Sequence, residues 1–182
     1  MKKRALIFFF LTVNLFADIK ETMLNLYENK RFEEVCSIGF SNFNNYANDE
    51  DFLSLYAFGC LHADFIDRLA LPISLLKSTR EARANSAYFS VILMQKKLLY
   101  HSLVDGYELE KYKLPSTDYI LSKVFDYYTA LGKDESRNFY LFSDVDNPKI
   151  GYKLYLVKDS VPFRMVIEEY YDNTLVKKHI YW

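Results

Sequence analysis

The chain has 182 residues and carries 23 basic against 24 acidic side chains, a formal net charge of −1. It offers no excess of positive charge for nucleic acid or an anionic membrane surface, which argues against both as partners. With 18% aromatic residues and only 5 Gly and 4 Pro, it has the composition of a packed globule rather than a disordered tail.

The first element reads as a secretory signal spanning residues 1–17. Met1-Lys2-Lys3-Arg4 is a basic start, and Ala5 to Phe16 is an apolar run interrupted only by Thr12 and Asn14. Such a run of about 12 residues is too short to cross a hydrocarbon core that needs roughly 20 in a helix. Cleavage is expected after Leu15-Phe16-Ala17, the alternative being an uncleaved tether. The mature chain would then keep 20 basic and 24 acidic residues, a net charge of −4. The expected location is periplasmic, or otherwise secreted, with no membrane span after cleavage.

From Asp18 to Leu131 the apolar spacing is helical. Ile19, Met23, Leu24 and Leu26 form one stripe, and Val35, Cys36, Gly39 and Phe40 another. Asn48-Asp49-Glu50-Asp51 starts a third helix that should run to about Asp67. Pro72 suits the first turn of a short helix. A long helix is expected from Arg80 to Val104, stopped by Gly106, and a last one from Pro115 to Leu131, stopped by Gly132. After Gly132 the pattern becomes short aromatic and β-branched runs, 139–142, 151–157, 163–171 and 175–182, parted by turn residues. The expected fold is α+β: helices over 18–132, then a four-stranded antiparallel meander over 133–182 packed on the last helix. Its final strand reads as a sheet edge guarded by Lys177 and Lys178.

The two cysteines, Cys36 and Cys60, fall on neighbouring helices. In an oxidising compartment they would pair, and a loop of this size would then contribute roughly 3 kcal/mol. Two small apolar residues in a helix interface is the other reading. No histidine stands at ligand spacing beside them, which makes zinc a poor fit.

The stretch Leu26-Tyr27-Glu28-Asn29-Lys30-Arg31-Phe32-Glu33-Glu34-Val35 resembles the turn between the two helices of a tetratricopeptide repeat. One repeat onward, about 34 residues, Cys60 falls opposite Leu26. That second copy has small Gly59 and Ala63 but lacks the Tyr and the Phe-Glu-Glu, and a third, near Ala82, carries less of the pattern still. The resemblance covers residues 18–104; an irregular helical bundle is the competing architecture. It implies stacked helical hairpins that present a surface to a protein or peptide.

Signals for chemistry are sparse. His62 and Asp64 lie two apart, on different helix faces, whereas His101 and Asp105 are four apart and can touch as an ordinary exposed pair. There is no Gly-x-Ser-x-Gly, His-Glu-x-x-His or phosphate-cradling loop. Asp144-Val145-Asp146-Asn147 reads as a strand-to-strand turn rather than a calcium loop. No cofactor, metal or catalytic group is called for, and no enzyme is expected. The expectation is an exported adaptor or scaffold in a cell-envelope assembly, with another envelope protein or peptide as partner. Tyr107, Tyr112, Tyr119, Tyr127 and Tyr128 are the candidate contact residues. The alternative is a small-molecule or lipid carrier with an aromatic pocket between sheet and helices.

Overall fold

The computed structural model describes residues 19–109, 112–132 and 137–182. The segment read as a signal lies outside the described residues. Among the described residues, six α-helices precede four strands, and no helix is long and apolar enough to cross a membrane.

Helices α1 (Ile19–Glu28) and α2 (Phe32–Asn42) form a hairpin that buries Met23 and Leu26 from the first and Val35, Cys36 and Gly39 from the second. Helix α3 (Glu50–His62) is capped by Asp49, whose carboxylate accepts from the Phe52 amide at 3.0 Å. It is buried on nearly every side because α1, α2, α4 (Ala70–Leu75) and α5 (Arg80–Asp105) all pack against it. Two glycines set the closeness of α2 and α3. A methyl group at Gly39 would come within 2.4 Å of the Tyr56 ring, and one at Gly59 within 2.5 Å of Val35. The helices approach until Cys36 and Cys60 stand 4.6 Å apart at Cα, and these two form a disulfide.

The turn after α1 recurs after α3. Lys30 and Asp64, 34 positions apart, are both left-handed, with φ of 59° and 64°. The amide of Lys30 donates to the carbonyl of Tyr27 and that of Arg31 to Leu26; at the same offset, Asp64 donates to Leu61 and Phe65 to Cys60. The expected extension of α3 to Asp67 therefore fails at Asp64, where the backbone reverses hand. A 3₁₀ turn (Ile66–Leu69) and the short α4, with Pro72 in its first turn, complete the second hairpin.

Among the described residues no third copy of this turn follows. Helix α5, capped by the Thr79 side chain on the Ala82 amide, runs unbroken for 26 residues to left-handed Gly106, about 39 Å. It passes through Leu98, where the next turn would fall, because Phe89, Ile92, Gln95, Lys96, Leu99 and Ser102 make one continuous buried stripe.

Glu50 fastens the start of α3 to the loop before α5, accepting from the amides of Lys77, Ser78 and Thr79 at 2.7, 2.6 and 3.0 Å. The Ser78 and Lys77 amides pull its carboxyl down to about 2. Because the folded value is depressed, this tie is complete above the ordinary glutamate range and is lost as pH falls through about 2. A carboxyl-carbon NMR titration should show Glu50 protonating last among the glutamates, together with shifts of the amides of residues 77–79.

Helix α6 (Ile120–Ala130) starts five residues later than expected. The Pro115 carbonyl accepts from Gln95, Ser116 bonds Asp126, and the Thr117 amide donates to Ser122. These groups are committed to tertiary bonds and are not released to a first helical turn. Strands β1 (Phe139–Ser143), β2 (Ile150–Val157), β3 (Arg164–Tyr171) and β4 (Thr174–Tyr181) follow in antiparallel order β1-β2-β3-β4. The β3–β4 hairpin turns on Asp172 and Asn173, both at positive φ. Asp144 organises the β1–β2 turn: one carboxylate oxygen accepts from the amides of Asp146 and Asn147, the other from the hydroxyls of Tyr127 and Tyr152.

The inner sheet face carries the rows Tyr140, Leu154, Ile167, His179 and Leu156, Met165, Tyr181. It packs on α6, where Tyr127 stacks against Phe142 and Tyr152 and Tyr128 meets Tyr140 edge-on. It also rests on α5, whose Tyr100 hydroxyl donates to the Phe163 carbonyl. Helical core and inner sheet face form one continuous apolar cluster.

Candidate functional site

Two features stand out where the helices meet the sheet. The first is a buried polar seam. Left-handed Asp64 projects from the second hairpin turn toward β4, where His179 Nδ1 lies 2.8 Å from its Oδ1. The same oxygen accepts from the Tyr119 hydroxyl at 2.8 Å and the Tyr181 hydroxyl at 3.3 Å, and Tyr119 also reaches the Leu61 carbonyl. On the other side of the imidazole, Glu169 of β3 lies 3.6 Å from Nε2, beyond hydrogen-bond length, so that attraction is coulombic. Burial alone would push the His179 imidazole down, but the Asp64 and Glu169 carboxylates outweigh it and hold it above its ordinary value. Burial and the Asp64 charge push both tyrosine hydroxyls well up, so they stay neutral donors.

Beside this cluster, Lys96 lies nearly buried on α5. Its ammonium bonds Asp67, at 2.9 Å, and the main-chain carbonyl of Trp182. Burial lowers its value and Asp67 partly restores it. A small open pocket of about 250 Å³ lies beside these groups, with Asp64, Asp67, Arg68, Lys96 and Trp182 in its walls. The charges in the seam face one another, and what the arrangement does chemically is join the sheet to the helices.

The second feature is an open cleft of about 550 Å³ between the C-terminal turns of α5 and α6 and the near end of β1 and β2. Ser102, Tyr107, Tyr128, Arg137, Tyr140 and Lys158 are among its walls. The Ser102 and Tyr128 hydroxyls bond each other at 3.0 Å, and Tyr107 stacks on His101 with its hydroxyl on that of Tyr112.

The five tyrosines singled out in the sequence divide between these places. Tyr107 and Tyr128 line the cleft and Tyr112 braces Tyr107, while Tyr119 turns into the seam and Tyr127 onto Asp144. His101 does meet Asp105, at 2.7 Å with both side chains exposed, at the end of α5. Sequence spacing gave no sign of the Asp64–His179 pair, whose partners are 115 residues apart. Lys96 was findable: it is a charge on the buried stripe of α5, between Ile92 and Leu99. Compared with protein-family models, with curated proteins and with solved structures, the chain matches none.

Proposed function

We propose that the protein is an exported, periplasmic adaptor that holds a segment of another envelope protein in the cleft between α5, α6 and the sheet. The observation that carries this reading is the character of that cleft, which is open, walled by tyrosines, and supplied with hydroxyl, amide and both signs of charge. Tyrosine gives large contact area at small entropic cost and is concentrated where proteins recognise polypeptide. The recurrence of one hairpin turn at a 34-residue offset supports the helical-hairpin part of the reading. The buried Cys36–Cys60 bridge supports a location outside the reducing cytoplasm. The carrier alternative draws on the cleft's volume, which is in the range of small-molecule sites; its open, polar walls suit a lipid poorly.

A photo-crosslinking side chain placed at Tyr107 or Lys158, in intact cells, should yield one discrete protein adduct common to both positions and absent from a control at exposed Leu24 on α1. Adducts equal at all three positions, or none at any, would end the adaptor reading. A stoichiometric small molecule retained by the purified protein would favour the carrier.

A further inference from the structure

His179 is 3% exposed and stands between two carboxylates belonging to different parts of the fold: Asp64 from the helical hairpins and Glu169 from the sheet. A neutral imidazole has one N–H donor and one lone pair, whereas the imidazolium has two donors. Only the protonated ring can turn a proton toward both carboxylates. Deprotonated, it leaves one of them facing a lone pair, at a site where the imidazole is 3% exposed, Asp64 15% and Glu169 33%, so the charge left unpaired is only partly hydrated. We infer that this junction is a proton-operated clasp: protonated His179 holds β4 on the helices, and loss of that proton loosens the strand.

The surroundings favour such a role. Tyr119, from the residue before α6, and Tyr181 of β4 donate to Asp64 and remain neutral, so they do not replace the lost charge. Lys177 of β4 opposes the proton on His179, and Lys123 of α6 acts on Glu169. His62, at the end of α3, feels Lys177, Asp64 and Asp118 but is itself pushed down by burial, so it does not supply a competing cation. Two further ties at this end of the sheet, Tyr181 of β4 to Asp64 and Lys96 to the carbonyl of Trp182, the residue after β4, converge on the same corner. Among the described residues, β4 is an edge strand with no neighbour on its outer side. Since the folded imidazole value is raised, the clasp is fully closed below the ordinary histidine value of about 6.5 and opens as pH rises through the folded one.

The test uses the full mature chain with labelled histidines. Imidazole nitrogen shifts are followed through alkaline pH, His179 being assigned by elimination with His62→Gln and His101→Gln. Hydrogen exchange of residues 174–181 is measured in the same samples, relative to α3. We expect His179 to be protonated at neutral pH, and the relative protection of β4 to fall several-fold across the interval in which it titrates. Lys177→Gln changes an exposed side chain and should leave the fold intact, moving both midpoints upward together. A His179 ring already neutral at pH 6, relative protection that stays flat through its titration, or a midpoint that moves in the variant without the protection following would each overturn the clasp.

Discussion

Asp64→Ala is expected to lower the unfolding free energy by about 3–5 kcal/mol, the range for stripping one partner from a buried ion pair. The loss is large because a single carboxylate oxygen serves His179, Tyr119 and Tyr181 at once, of which His179 and Tyr181 are buried and Tyr119 partly so. Alanine also tolerates the left-handed backbone at this position less well than aspartate. Asp64→Asn separates the two effects, since asparagine accepts that backbone and retains an acceptor oxygen but not the charge; it should lose less stability and lower the His179 value. Urea unfolding followed by circular dichroism measures both variants. A loss under about 1 kcal/mol for the alanine variant would mean that the seam is not where the sheet is held, given what a buried pair ordinarily contributes.

Breaking the Cys36–Cys60 bridge, through the double variant Cys36→Ala with Cys60→Ala, should cost about 3 kcal/mol in the chain-entropy account. The loop it closes, with a sequence separation of 24, contains the whole connection from α2 to α3. Both cysteines are fully buried, and the Arg68 guanidinium lies 3.5 Å from the Cys36 sulfur, flanked by the rings of Phe40 and Phe65. Alanine keeps the interface apolar, so the loss reports the cross-link rather than a buried hydroxyl. Denaturant midpoints that coincide for the variant and the oxidised parent would count against this account.

Much of the architecture was legible because the relevant signals are local. Gly106 stops α5, alternation along residues 151–157 marks a half-buried strand, and Asp172-Asn173 specifies a tight hairpin. Whether the cysteines paired was not legible from their spacing alone. It depends on how closely two helices approach, and Gly39 and Gly59, on the same faces as Cys36 and Cys60, decide that. The start of α6 was misplaced because Pro115, Ser116 and Thr117 look like a helix entry, yet each is bonded to a distant or later residue that local propensity does not register. The seam was invisible for the same reason. Asp64 and His179 become neighbours only once the sheet folds back over the second hairpin, and neither residue type at either position signals the other.

The uninterrupted length of α5 has a consequence for how this architecture can vary. Stacked hairpins ordinarily form open series that lengthen by adding units, with a polar cap needed to stop them. Here the helix that follows the second hairpin runs unbroken through the place of a third bend and meets the sheet through Tyr100. Among the described residues, a further hairpin beyond it would compete with the sheet for the same flank of α5.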